Sequence, residues 1–362
     1  MIPIAKPLID DVEKKKVMEV LDSGMLSIGK TVQEFEKAFA DYTGAKHAIA
    51  TSSGTTALHL ALKASGVQPG DKVLTTPFSF VATANSILYT GAIPVFCDVE
   101  DETFNIDPIR MEQYIQQIPG IKALLIVHLY GHPCAMDEIM ELVKKYNLIL
   151  IEDAAQAHGA KFRGKHVGTF GKSSIFSFYP TKNMTTAEGG MVITNDDDVY
   201  TDLKLLREHG DTGGYDHKVL GYNYRMTNIE AAIGLGQLEK LDRFNQARAE
   251  NAAYYAEHLK GLDWLELPVV KEHCTHCFNQ FTLKIKTRDR DKFVEYLKEN
   301  EIGSRVYYPV TIPAQTLYKE LGYDQLTFPV ADRLCNEVVS IPVHPAVSPE
   351  DREKIVNVIK SF

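Results

Sequence analysis

Basic charge is in short supply: 39 Lys and Arg stand against 48 Asp and Glu in 362 residues, for a formal net charge of -9. No broad positive field is available to hold nucleic acid or an anionic membrane, so neither is expected as a partner. Long apolar runs are lacking too. The N-terminus, Met1 to Pro7, has no signal-peptide core and no later stretch is long enough to cross a bilayer, from which a cytoplasmic location is expected. Cysteine is sparse and odd in number, five scattered thiols, which speaks against a disulfide framework. Cys274 and Cys277 have C-x-x-C spacing, yet no second Cys/His pair at finger-like distance completes four ligands. The segment therefore reads as the entry to a strand, and no metal is expected. The glycine fingerprint of a dinucleotide site, G-x-G-x-x-G, is missing. The nearest approach to a P-loop, Gly168 to Ser173, has His166 where the first glycine is required.

What remains is the composition of an enzyme-sized α/β protein. With 44% hydrophobic and 24% charged residues, the chain can bury a large core and divide into two domains. Short β-branched runs alternate with amphipathic stretches: His47 to Thr51, Lys72 to Thr76, Pro94 to Asp98, Ala123 to His128, Leu148 to Glu152, Ser174 to Phe178 and Met191 to Thr194 are the strand candidates. That alternation predicts a mostly parallel sheet flanked by helices. Two helices, near Asp10 to Leu21 and Val32 to Tyr42, come before the first strand. From Asn228 to Leu259 a pattern rich in Ala, Leu, Glu and Gln, free of proline, predicts one extended helix. Beyond it a strand over Phe278 to Lys286, a helix over Arg290 to Asn300, a short strand at Val306 to Tyr308 and a final helix over Pro349 to Lys360 describe a smaller C-terminal α/β domain. The expected division is 1–227 for the N-terminal segment and large domain, 228–260 for the connecting helix, and 261–362 for the small domain.

The chemistry-bearing residues fall at or just past strand ends. An acid closing a buried strand, Asp153, and a later loop lysine, Lys182, are what an enzyme needs to hold pyridoxal 5'-phosphate (PLP) from both ends, with the acid at the ring nitrogen and the lysine on the aldehyde. Between the first strand and the next helix, Ser53-Gly54-Thr55 offers free amides, hydroxyls and a glycine that permits close approach, the makings of an anion site. A Ser N-cap explains the same turn, as core packing explains Phe80, here chosen to stack on a cofactor ring. The order of the features is more telling than any one of them: phosphate turn, aromatic, strand-terminal acid, then serine and lysine.

Four blocks carry a family resemblance: Ser53-Gly54-Thr55, Glu152-Asp153-Ala154-Ala155-Gln156, Ser177-Phe178-Tyr179-Pro180-Thr181-Lys182-Asn183, and Gly221-Tyr222-Asn223-Tyr224-Arg225-Met226. Together they resemble the DegT-type PLP-dependent sugar aminotransferases, within the aspartate aminotransferase fold class (PLP fold type I), over nearly the whole chain. The resemblance implies that Asp153 pairs with the pyridine nitrogen, that Gln156 lies near the ring hydroxyl, and that Lys182 is both the Schiff-base lysine and the proton carrier. It also implies that Gly54, Thr55 and Ser177 hold the phosphate. Asn223 is implied to reach the phosphate of a neighbouring subunit's cofactor, hence a homodimer with shared sites. The implied reaction moves an amino group from an amino acid, glutamate by analogy, to a nucleotide-linked keto-deoxysugar. The segment Glu188-Gly189-Gly190 resembles relatives that aminate C4 rather than C3.

Several positions depart from the family pattern. Tyr308-Pro309-Val310-Thr311-Ile312-Pro313 stands where relatives often carry Pro-x-His, Tyr179 where some have histidine, and Met25 where an aromatic is frequent. Tyr179 and His344 are candidate substrate contacts, with a structural role an equal reading for His344. A PLP-dependent sugar dehydratase on the same scaffold is the alternative enzyme, but those relatives tend to replace the lysine with histidine. A non-catalytic regulatory relative is the other alternative, disfavoured by the intact Asp153 and Lys182.

Overall fold

The computed structural model describes residues 1–362. Seven strands form the central sheet: β1 (His47–Thr51), β2 (Lys72–Thr75), β3 (Ile93–Phe96), β4 (Ile121–Val127), β5 (Ile149–Asp153), β6 (Ser173–Ser177) and β7 (Gly190–Thr194). Their order is β1-β7-β6-β5-β4-β2-β3. The five strands from β6 to β3 run parallel, while β7 is antiparallel to both β6 and β1. Strands buried on both faces read as continuous apolar runs, and the interior of β4 (Ala123 to Val127) is one. The sheet is thus the mostly parallel, helix-flanked one that the sequence predicts.

Helices α1 (Asp11–Ser23) and α2 (Lys30–Thr43) precede β1, and α3 (Gly54–Ala64) and α4 (Ala82–Tyr89) follow β1 and β2. The first begins at a capping box: Asp10 accepts a hydrogen bond from the Val12 amide, and Glu13 returns one to the Asp10 amide. A second sheet, β8 (Leu265–Glu266), β9 (Phe281–Ile285) and β10 (Val338–Ile341), is antiparallel and has its own apolar core around Tyr255, Trp264, Phe281 and Phe293.

Two local expectations need correction. The predicted single helix over 228–260 is broken into Asn228–Leu238 and Leu241–Leu259. At the break the Lys240 amine forms ion pairs with Asp10 at 2.9 Å and Glu13 at 2.6 Å, so contact with the start of α1 fixes the change of direction. Val306 to Tyr308 is not a strand: only Arg305 bridges, to Ser340, and the Tyr307 carbonyl instead accepts the Tyr130 hydroxyl.

Candidate active site

The site gathers at the C-terminal ends of the parallel strands, where an open α/β sheet leaves a crevice. At the end of β1 the chain turns into α3. Ser53 is the N-cap: its hydroxyl accepts the Thr56 amide at 3.1 Å, and the Thr56 hydroxyl accepts the Ser53 amide at 3.0 Å. The amides of Gly54 and Thr55, first in the helix, have no partner in the chain and carry the positive end of its dipole. Across from them stands Ser177, the last residue of β6. A Cβ on Gly54 would fall 2.7 Å from the Cβ of Ser177, so only glycine lets the helix start and the strand end meet. Gly190, the first residue of β7, packs on the same turn, since a Cβ there would lie 2.3 Å from the Ser53 carbonyl oxygen.

Asp153 ends β5 and is only 4% exposed. Its Oδ2 accepts the Thr83 hydroxyl at 2.9 Å and its Oδ1 the Ala155 amide at 3.1 Å. Burial pushes its carboxyl above the usual range; those two hydrogen bonds and the Lys182 charge work in the opposite direction. Burial likewise lowers the Lys182 amine from 10.5 to about 8, with Asp153 opposing. Asparagine contacts fix the lysine loop. Asn183 donates to Asn245 at 2.7 Å and to the Cys277 carbonyl at 2.8 Å, and accepts from Asn279 at 2.9 Å. Asn279 also donates to the Thr181 carbonyl at 3.3 Å.

The other expected residues lie around this centre. Gln156 accepts the Tyr130 amide at 2.7 Å and donates to the Tyr308 hydroxyl at 3.2 Å, which fixes its amide orientation. Phe80 sits on the turn between β2 and α4 and is 58% exposed. Tyr179 is exposed, and its carbonyl accepts the Lys182 amide at 2.9 Å. Asn223 is exposed on a loop bound to the phosphate turn, for the Ser52 amide donates to the Tyr224 carbonyl at 2.9 Å. His344, for which a substrate contact and a structural role are equal readings of the sequence, is 1% exposed with its Nε2 2.8 Å from the Pro3 carbonyl, a placement that suits the structural one.

Sequence reasoning missed three features. Thr83 orients Asp153, yet a helical threonine gives no periodic signal. His158, five residues after Asp153, is fully buried, and burial together with the Lys182 charge lowers it to about 3. The segment that resembles a P-loop holds a protein carboxylate: the amides of Gly168, Phe170 and Gly171 donate to Glu152 at 2.7, 2.8 and 2.7 Å.

An anion cradle that a single Cβ would fill, a buried carboxylate with one hydroxyl and one amide on it, and a partly buried amine lowered to about 8 suit the phosphate, ring nitrogen and aldehyde of PLP. Residues 7–360 match the DegT/DnrJ/EryC1/StrS aminotransferase family. The chain belongs to this family. It is a PLP-dependent sugar aminotransferase. This family member is 41% identical to the GDP-perosamine synthase of Caulobacter vibrioides, over 98% of the chain and 96% of that protein. It is 39% identical to the UDP-N-acetyl-3-dehydro-alpha-D-glucosamine 3-aminotransferase of Acidithiobacillus ferrooxidans, over 98% and 94%. Among solved structures, Helicobacter pylori PseC, an aminotransferase involved in the biosynthesis of pseudoaminic acid, superposes with a TM-score of 0.94 at 32% identity, covering 100% of this chain and 99% of that one.

Proposed function

We propose that this aminotransferase takes the amino group of glutamate and delivers it to a keto carbon, C4 in preference to C3, of a nucleotide-linked deoxysugar. It does so as a cytoplasmic homodimer with shared active sites. The observation that supports the amino-transfer chemistry is that Asp153, at the end of β5, and Lys182, on the loop after β6, lie close enough for each charge to act on the other. Bound PLP supplies an electron sink next to the carbon that loses or gains a proton. Asp153, held by Thr83 and the Ala155 amide, would keep the ring nitrogen charged. The Gly54 and Thr55 amides and the Ser177 hydroxyl would hold the cofactor phosphate. Lys182, with its amine lowered to about 8, is unprotonated in a useful fraction near neutral pH and serves as nucleophile and then as proton carrier.

Donor and acceptor use one crevice in turn, so ping-pong kinetics follow. The preference for C4 rests on the resemblance of Glu188-Gly189-Gly190 to C4-acting relatives. Gly190 has a packing role against Ser53 as well, and the Acidithiobacillus relative's name states position 3. The deciding experiment incubates the holoenzyme with glutamate and a panel of nucleotide-linked 4-keto and 3-keto sugars and reads the products by NMR. An amino group at C4 with glutamate consumed is the expected result. Amination confined to 3-keto sugars would overturn the regiochemistry, and no amination of any sugar the function. For the shared site, mixing Lys182→Ala with Asn223→Ala subunits should restore part of the activity; no complementation would remove Asn223 from the interface.

A further inference from the structure

Beside the lysine loop lies a cavity of about 20 Å³, lined in part by Lys6, Lys182, Asn183, Gln237 and Arg248, with no acidic residue in its wall. That is room for one particle about the size of a water molecule. Arg248, on the helix Leu241–Leu259, is 5% exposed. Its Nη1 donates to the Phe278 and Asn279 carbonyls at 3.2 and 3.4 Å, and its Nε has no acceptor. The arginines that form ion pairs are Arg110, Arg163, Arg207, Arg290 and Arg333; Arg248 is not one of them. Burial lowers its guanidinium to about 10.

A buried cation without a counter-charge is expensive, and here the neighbours make matters worse. Charge on Arg248 disfavours protonation of both His158 and His344, and Lys6 adds to the effect on His344. Both ring nitrogens of His158 and Nδ1 of His344 also lack partners, so four unpartnered buried nitrogens belong to three neighbouring side chains. The cavity wall itself holds three cationic side chains, Lys6, Lys182 and Arg248, and no carboxylate; the acids that act on this group do so from outside the wall, Asp153 on Lys182 and Asp351 on His344.

We propose that this cavity binds a small monovalent anion of the halide type, held by the Arg248 guanidinium and facing Lys6 and Lys182. The anion supplies the missing counter-charge for Arg248. It also biases the site toward the protonated state of the nitrogen that Lys182 contributes.

The test uses the holoenzyme with bromide as probe. Crystals grown in bromide should show an anomalous peak in the cavity against Arg248, and Arg248→Gln should lose it. In solution, replacing gluconate by bromide at constant ionic strength should raise the spectral pKa of the bound cofactor by about half a unit or more. A cavity holding water alone in bromide-grown crystals overturns the proposal, as does a spectral pKa indifferent to the halide. Should Arg248→Gln not fold, the bromide crystals of the unsubstituted enzyme still decide. None of these outcomes bears on amino transfer itself, which the sugar panel tests separately.

Discussion

Gly54 and Ser177 are separated by 123 positions in the chain, yet a Cβ on the glycine would stand 2.7 Å from the Cβ of the serine and 3.0 Å from its Oγ. This contact brings the unpartnered amides of α3 beside the hydroxyl that ends β6, the groups proposed to hold the phosphate. Adding one methyl group must push helix and strand apart. Gly54→Ala should therefore raise the dissociation constant for PLP by about tenfold or more and lower stability by roughly 1–3 kcal/mol, in line with overpacking elsewhere. Equilibrium dialysis with the cofactor checks the first and urea unfolding of the cofactor-free protein the second. Unchanged cofactor affinity would mean that the close approach is not required for phosphate binding.

Lys182 links stability to pH. In the folded, cofactor-free protein its amine is lowered from 10.5 to about 8, so the unfolded chain holds the proton more tightly. The penalty is full below about pH 8, where the folded protein must bury a charge, and it fades as pH rises through the window between 8 and 10.5. Lys182→Met, which removes the charge at similar volume, should melt higher than the parent apoprotein at pH 7. The gap in Tm should shrink toward pH 10.5. A gap that is constant with pH, or that widens, would contradict a buried, depressed amine. The same substitution abolishes amino transfer, and borohydride then fixes no cofactor to the chain.

The hydroxyl of Thr83 is one of two donors to the Asp153 carboxylate, the other being the Ala155 amide. Thr83→Val keeps the shape and removes the donor, leaving Oδ2 buried without that partner. Loss of one such hydrogen bond is worth about 1–2 kcal/mol, so kcat should fall about tenfold. Thr83→Ser should retain most of the rate. Equal kinetics for the valine and serine variants would show that Asp153 needs no support from this side.

Much of this site was legible because its parts sit in short segments at strand ends, where a sequence pattern and a chemical requirement coincide. Asp153 closes an apolar run, Lys182 follows the next, and Gly54 interrupts a Ser/Thr turn. Thr83 was not legible, since its role depends on a contact across 70 positions with nothing local to mark it. The break at Glu239 and Lys240 was hidden for a similar reason. Neither residue disrupts a helix by itself, and the direction changes where Lys240 meets Asp10 and Glu13. Val306 to Tyr308 has β-branched and aromatic side chains suited to a strand, but the pairing with β10 stops at the single bridge Arg305 to Ser340, and propensity without a continued ladder does not make a strand. For His344 residue type alone left two readings open, and its contact with the Pro3 carbonyl, 341 positions away, has no local mark in the sequence.

Glu152, the residue before Asp153 on β5, serves the structure through its hydrogen bonds. Oε1 accepts the amides of Phe170 and Gly171, and Oε2 accepts the Gly168 amide and lies 3.0 Å from His128 Nε2. The imidazole must donate there, because its Nδ1 already accepts the Cys134 amide at 3.0 Å. Four donors thus converge on one fully buried carboxylate, which can accept from all of them. Glu152→Gln would turn an NH2 group toward two of these donors, leaving a donor–donor conflict with no water to relieve it. The expected loss is about 2–4 kcal/mol in urea unfolding, with a weakened hold on the loop from Gly168 to Lys172 that supports the end of β5. Because β5 places Asp153, kcat should fall as well, although Glu152 lies outside the crevice chemistry. An unfolding midpoint within error of the parent would show that the buried amides do not require a carboxylate, and that the resemblance of this loop to an anion site is incidental.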